Sequence, residues 1–402
     1  MPLWFNKIQK DFYEINLEVK RLTQGRYPDF VKAKRPTHSA DHIPVFMFHT
    51  IDPGIFEDQL NFLKTNGYRT ITCDEFYQVL AGKTKIPPKS VLLTIDDGKI
   101  SVWIYAYPLL KKYGFQATVF LIPGYMEASG PYIPNLEDLW AGKCQPQDIK
   151  NLDRTFNPLL NWEQVSEMYN SGIIDFQCHT LYHHKIYTGK RIVDFFNPFD
   201  NSPIYNIPLP KNWEIKLKSE SKEKFFGMPV YENSPLMSGR ARYLNDLKIT
   251  EKCIQYVREQ GIEFFQKKFW RSELFLVAQN MNGNIKENYQ SAEATFKEIY
   301  YDLLEAKNLI EKNLPGHKVR HLCYPYGTGS EVAVECSKRA GYLTNFWVTH
   351  VYRSSNKAGD DPFYCTRLKD DYIYRLPGVG RKSLSEIILM KLKRRIMGMP
   401  LY

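Results

Sequence analysis

The sequence predicts an α/β protein: one barrel-type domain of parallel strands and crossover helices, interrupted by a single long excursion. Three observations predict it. Short apolar runs alternate with amphipathic stretches that close on glycine, the pattern of strand–helix repeats around a parallel sheet. The alternation stops near residue 188 and resumes near residue 291. Unusual polar residues stand where three of the strands end, which is where sheets and barrels of this class place their chemistry.

The elements follow in order. Ile43 to His49 reads as a strand, and "FEDQLNFLKTN" after it puts Phe56, Leu60 and Leu63 on one helical face, with Gly67 as terminator. "YRTIT" is a strand and "CDEFYQVLAG" a helix closed by Gly82. "SVLLTID" is a strand, "VWIYAYPLLKKYG" a helix ending at Gly114, and "FQATVFLIPG" a strand. "NWEQVSEMYNSG" reads as a helix with Asn161 as N-cap, followed by the strand "IIDFQCHT". Residues 188–290 are rich in Lys, Asn, Pro and aromatics with weak periodicity. They read as an insertion or lid with one amphipathic helix near "EKCIQYVREQGIEFFQKKFW". A long helix from Ser291 to Asn313, a strand "VRHLCYPYG", a helix "SEVAVECSKRAG" and a strand "LTNFWVT" resume the pattern. The expected organisation is a helical and irregular leader over 1–42, a barrel over 43–380 including the insertion, and a basic amphipathic helix over 381–402.

Composition narrows the class. The 402 residues are 43% hydrophobic and 24% charged, ordinary for a globular chain, and the formal net charge of +10 favours an anionic partner or surface. No basic-aromatic module of the nucleic-acid-binding kind is visible. The seven cysteines form no CxxC pair, which fits reduced thiols better than a disulfide framework. The N-terminal stretch lacks the apolar core of a secretory signal, and no run of about 18 apolar residues occurs. These features predict a cytoplasmic protein. Leu384, Ile388, Leu392 and Ile396 form a helical stripe beside Lys391, Lys393, Arg394 and Arg395, so peripheral membrane contact through the last helix is one expectation. Packing of that helix on its own domain is the other.

Three strand ends carry candidate chemistry: Asp96-Asp97-Gly98, "CHTLYHH" with His179, His183 and His184, and "CYPYG" with Tyr324, Pro325, Tyr326 and Gly327. His179 and His183 have metal-ligand spacing, and a carboxylate from another strand would complete the set. Alone, the histidines could be a polar loop tip and Asp-Gly a common turn. Their conjunction at strand ends of one parallel barrel is the stronger signal.

"LLTIDDGKISVWIYAYPLLKKYGFQATVFLIPG" resembles the first motif region of the polysaccharide deacetylase, or NodB-homology, family, with Ile95 where Phe is usual. "CHTLYHH" resembles its second motif, "CYPYG" its third, and "IPVFMFHTI" its first strand; the resemblance runs from Ile43 to Thr349. It implies an irregular (β/α)₇ TIM-like barrel with the long insertion between the second and third motifs. It implies metal-dependent removal of an N-acetyl group from a glycan. By position, Asp96 matches the general base, Asp97 the carboxylate ligand, His179 and His183 the histidine ligands, and Tyr326 the residue whose backbone N–H helps bind the oxyanion. Tyr182, Tyr324, Pro325 and His184 fall on the substrate side. One divalent ion is expected, zinc first, with cobalt, nickel or iron as alternatives.

The departures are specific. The arginine of the third motif falls at Cys323, and Arg320 lies out of register. The late Leu-x-His motif that supplies the general acid has no match; "YRLPGVG" from Tyr374 holds its place without a histidine. His184, His321, His350 or Asp96 itself could then deliver the proton, and His184 competes with His183 as ligand. His49 reads as a supporting residue rather than a ligand. The expected substrate is an N-acetylated sugar in a glycan precursor, on a lipid carrier or in a small glycoside. A non-sugar amidohydrolase and a non-catalytic carbohydrate-binding protein are the other readings.

Overall fold

The computed structural model describes residues 16, 18–35, 42–85, 87–155, 159–280, 288–348 and 353–396. Its strands, in chain order, are β1 (Val45–Phe48), β2 (Arg69–Thr70), β3 (Ser90–Ile95), β4 (Ala117–Leu121), β5 (Ile174–Cys178), β6 (Lys185–Phe195), β7 (Pro229–Pro235), β8 (His321–Cys323), β9 (Thr344–Phe346) and β10 (Leu368–Lys369). Seven of them pair in parallel in the order β10-β1-β3-β4-β5-β8-β9, and β2 flanks the start of β3. Every residue of β1, β3 and β4 is buried, as befits a parallel sheet covered on both faces. Cys365 bridges Phe346 of β9 in parallel, three residues before β10 meets β1. Residues 365–369 therefore join the two ends of the curled sheet, giving the expected α/β barrel. Strand β10 escapes sequence reading because two residues carry no alternation.

The crossover helices start for local reasons. Asp52 caps Pro53–Thr65 (α1) by accepting from the Ile55 N–H at 3.0 Å. Thr72 and Glu75 form a reciprocal capping box on Cys73–Leu80 (α2). The helix after β3 opens with a π turn, Val102–Ala106, before Tyr107–Tyr113 (α3). Pro108 has no N–H for the ladder, and the wider turn absorbs the missing bond. Asn161 caps Trp162–Asn170 (α4), with Gln164 completing the box.

Between β5 and the return to the barrel the chain folds into a unit with its own cores. β6 and β7 form an antiparallel ribbon, against which pack Leu247–Gln260 (α5) and Trp270–Asn280 (α6). The ribbon replaces the expected loop because register shifts between Tyr187 and Asp194 break the alternation that would have announced it. Trp213 and Trp270 are buried in the apolar clusters of this unit. Ala292–Asn313 (α7) and Glu331–Arg339 (α8) then resume the barrel.

The last helix, Leu384–Ile396 (α9), packs on its own domain, the second of the two expectations for it. Lys391 and Arg394 are buried. Lys391 pairs with Glu18 and lies 3.7 Å from Asp371, and Arg394 donates to Asp371 at 2.8 Å. Two of the four basic residues that suggested a membrane surface thus serve internal ion pairs, and the helix packs on its own domain through Ile387. The side chains of Arg395 and Ile396 lie outside the described residues. Among the described residues, no helix is long and apolar enough to cross a membrane.

Burial pushes the Glu18 carboxyl up, but Lys391 and Lys369 outweigh it and hold it at about 2. A depressed folded-state value means stability that is present above the ordinary carboxylate range and lost as pH falls toward 2. Glu18→Gln is expected to cost about 3 kcal/mol at pH 7. In urea titrations at pH 7 and pH 2.5, the gap between variant and wild type should shrink sharply at the lower pH.

Candidate active site

The polar residues gather at the C-terminal edge of the parallel sheet. Asp96 and Asp97 follow β3, His179 follows β5, and Cys323 ends β8. Phe48 pairs with Ile95, so His49 stands beside Asp96 across the β1–β3 ladder. The backbone is turned sharply here. Of the six non-glycine residues with positive φ among those described, four belong to this edge: Asp97 (73°), Thr180 (67°), His183 (55°) and Tyr326 (57°). Such conformations persist where surrounding contacts impose them, and they cluster at functional sites. Gly98 continues the turn at φ 68°, and a Cβ there would come within 2.7 Å of Leu121.

Asp97 Oδ1 lies 3.5 Å from His179 Nε2 and 3.7 Å from His183 Nε2. Four-coordinate zinc with bonds of about 2.0–2.2 Å separates its ligand atoms by roughly 3.4 Å. Asp97 Oδ1 is buried and has no hydrogen-bond partner among the described residues, as a ligand atom awaiting a cation would be. Its twin, Oδ2, is held at 3.0 Å by Lys99 Nζ, which also reaches Thr50 Oγ1 at 3.2 Å. The two oxygens are thereby distinguished, and only one faces the histidines. Burial raises the Asp97 carboxyl, but Lys99, His49, His183 and His179 together hold it well below the usual range. His179 Nδ1 is 2.8 Å from the Cys323 carbonyl, which as an acceptor fixes the proton on Nδ1 and leaves Nε2 its lone pair. Burial, then His179, push His183 down to about 3, so it is a neutral donor of a lone pair. The residues therefore fit a divalent ion. A second grouping, Asp96, His179 and Cys323, also comes within ligand range. It is the poorer candidate: burial pushes the thiol well up and both Asp96 oxygens are engaged.

Those oxygens are gripped by a residue that sequence reading missed. Arg367 Nη1 and Nη2 donate to Asp96 Oδ1 and Oδ2 at 2.7 and 2.8 Å, a two-pronged pair buried on both sides. Arg367 is itself braced by the Trp347 carbonyl at 3.0 Å and Thr94 Oγ1 at 3.1 Å. Burial raises the Asp96 carboxyl, and Arg367 more than reverses this, holding it well below the ordinary range. The arginine that the third motif lacks at Cys323 is thus supplied from the segment entering β10, while the Cys323 thiol sits 3.6 Å from both Asp96 oxygens. A lone arginine in the apolar stretch "YCTRL" was the available signal. His49 Nε2 lies 3.6 Å from Asp96 Oδ2, and its side chain is 24% exposed.

The remaining expected residues divide. His184 turns away from Asp97; it stacks on Tyr182 and its Nδ1 lies 3.6 Å from Glu214, so it joins neither the ligand set nor an open surface. Tyr324 is fully buried with its hydroxyl accepting from Asn345 at 2.7 Å, and Pro325 is buried in the turn after it. The Tyr324 hydroxyl is thus spent on Asn345 and Pro325 has no polar side-chain atom, so neither offers an unpaired side-chain group. Tyr182 is half-buried against Tyr125. Tyr326 is exposed at the mouth, its ring 4.6 Å from that of His183. His321 begins β8, and both its ring nitrogens are engaged elsewhere, by Thr344 and Asp74. His350 lies outside the described residues.

Known proteins share this arrangement in part. Residues 83–200, which hold Asp96, Asp97, His179 and His183, match the family model described as polysaccharide deacetylase. The Bacillus subtilis protein YxkH, whose polysaccharide deacetylase name is provisional, is 37% identical over 113 residues, covering 26% of this chain and 40% of that one. The poly-beta-1,6-N-acetyl-D-glucosamine N-deacetylase of Staphylococcus aureus is 28% identical over 132 residues, 33% of this chain and 37% of the relative. The aligned stretch thus spans well under half of either relative. The deacetylase domain of BpsB from Bordetella bronchiseptica superposes with a TM-score of 0.51 at 14% identity, covering 83% of this chain and 97% of that one, a likeness of fold.

Removing the grip on Asp96 should be costly. Arg367→Met leaves a buried carboxylate without its partner, with an expected loss of about 3–5 kcal/mol in urea denaturation at pH 7.

Proposed function

We propose that this chain, a member of the polysaccharide deacetylase family, hydrolyses the acetamide of an N-acetylated sugar in a glycan, N-acetylglucosamine first. The observation that carries the reading is the division of labour between adjacent carboxylates. Asp97 offers one oxygen to the histidines, while Asp96 is held ionised by Arg367 and faces the same space. A divalent ion held by Asp97, His179 and His183, zinc first, would supply Lewis acidity, polarising the acetamide carbonyl and lowering the pKa of water toward about 7.

The chain's own residues account for the rest. Asp96 takes the proton from the attacking water, and the Arg367 fork keeps it ionised and fixed in orientation. The positive φ of Tyr326 turns the backbone at the mouth, which supports a role for its N–H as donor to the developing oxyanion. His49 relays a proton to the leaving amine in this reading: burial pushes its imidazole down, so the proton it delivers is the one Asp96 has taken from the water, 3.6 Å away. Its ring is next to Asp96, partly open to solvent and outside the ligand set. It replaces the absent late histidine from the first strand rather than the last.

Two outcomes test the reading. Asp96→Asn should lower acetate release from N-acetylglucosamine oligomers by about 10²-fold or more while leaving metal content intact. Asp97→Ala or His179→Ala should abolish stoichiometric metal in elemental analysis, whereas His184→Ala should retain it. Absence of metal from the wild-type protein under all loading conditions sinks the proposal.

A further inference from the structure

The insertion delivers two residues to the catalytic mouth that no motif marks. Its short 3₁₀ turn, Ile204–Asn206, lies against the ligand loop. Asn206 Oδ1 accepts from the Tyr326 hydroxyl at 2.7 Å, tying the insertion to the third-motif turn. Tyr205, 2% exposed, meets the ring of His183 edge-on, with centroids 5.5 Å apart at 85°. Its ring is seated on Ile122 and Tyr125, which follow β4. The phenol is therefore held from three sides: the insertion, the β4 loop and the second motif.

Its hydroxyl is not accounted for in the same way. It is buried, and no described residue hydrogen-bonds to it. Buried hydroxyls are ordinarily paired, and one left unpaired is disfavoured unless something else arrives to meet it. The Tyr125 hydroxyl in the same cluster is buried and likewise without a partner among the described residues. Tyr205 is also close enough to the Asp97 carboxylate to feel its charge, which puts it at the ligand end of the cluster. A phenol at neutral pH donates a hydrogen bond, and sugars and acetamides are rich in acceptor oxygens.

We propose that Tyr205 is a substrate-contacting residue supplied by the insertion, its hydroxyl donating to an oxygen of the acetamido sugar bound beside Asp97, His179 and His183. The proposal rests on the deacetylase reading above and adds a specificity role for the insertion. Sites built to hydrogen-bond a substrate group discriminate strongly, because the donor is otherwise left buried and unpaired.

The test compares full-length wild type with Tyr205→Phe. In thermal unfolding without added metal or sugar, the variant should melt at or above the wild-type temperature, since no internal hydrogen bond is lost. A drop of several degrees means that the hydroxyl has an internal partner and overturns the proposal. In calorimetric titration of zinc-loaded protein carrying Asp96→Asn to block turnover, Tyr205→Phe should weaken binding of N-acetylglucosamine oligomers by about tenfold. With Asp96 restored, the same change should raise KM more than it lowers kcat. Equal affinity with and without the hydroxyl rejects the role of Tyr205 alone. A wild type that neither binds nor cleaves the oligomers rejects the deacetylase reading itself.

Discussion

Asp96 and Asp97 are consecutive, buried and ionised, and the site depends on each having a cation of its own. Like charges this close would ordinarily push one carboxyl to protonate. Here Arg367 grips both oxygens of Asp96, and Lys99 holds one oxygen of Asp97. The second Asp97 oxygen stays bare between His179 and His183, and burial pushes the His183 imidazole down. In the proposed reading, that asymmetry separates a fixed base from a ligand at the same strand end. It also requires the left-handed backbone at Asp97 and the glycine after it, because an extended strand would point consecutive side chains to opposite faces.

The barrel makes this possible by register. A parallel sheet aligns the ends of its strands, so residues far apart in sequence arrive at one edge without long loops. His49 reaches Asp96 because β1 and β3 pair with Phe48 opposite Ile95. Arg367 reaches it because residues 365–369 connect β9 to β1 and close the curl. The same segment explains how Cys323 is tolerated where an arginine is usual: the guanidinium comes from the segment entering β10, and the thiol sits against Asp96.

What was legible in the sequence followed from local signals. Asp96, Asp97, His179 and His183 stand at the ends of apolar runs with conspicuous polar identities, so chain order alone brings them together. Arg367, the closeness of His49 to Asp96, and Tyr205 were not legible, for different reasons. Arg367 enters a two-residue strand too short for periodicity, and the place of His49 depends on pairing register. Tyr205 depends on an insertion whose ribbon is broken by register shifts. The burial of Tyr324 and Pro325 was not legible either, because a motif position fixes the backbone and not the direction of each side chain. The basic face of α9 left two readings open, because amphipathic spacing does not reveal that Lys391 and Arg394 have acidic partners on other elements.

The central claim is that Asp97, with His179 and His183, holds the metal while Asp96 stays outside its coordination. X-ray absorption of the zinc-loaded protein tests it directly. The expected result is a shell of nitrogen and oxygen scatterers at about 2.0–2.2 Å with imidazole signatures and no sulfur. A sulfur scatterer at about 2.3 Å would move the ion to Asp96, His179 and Cys323 and contradict the account.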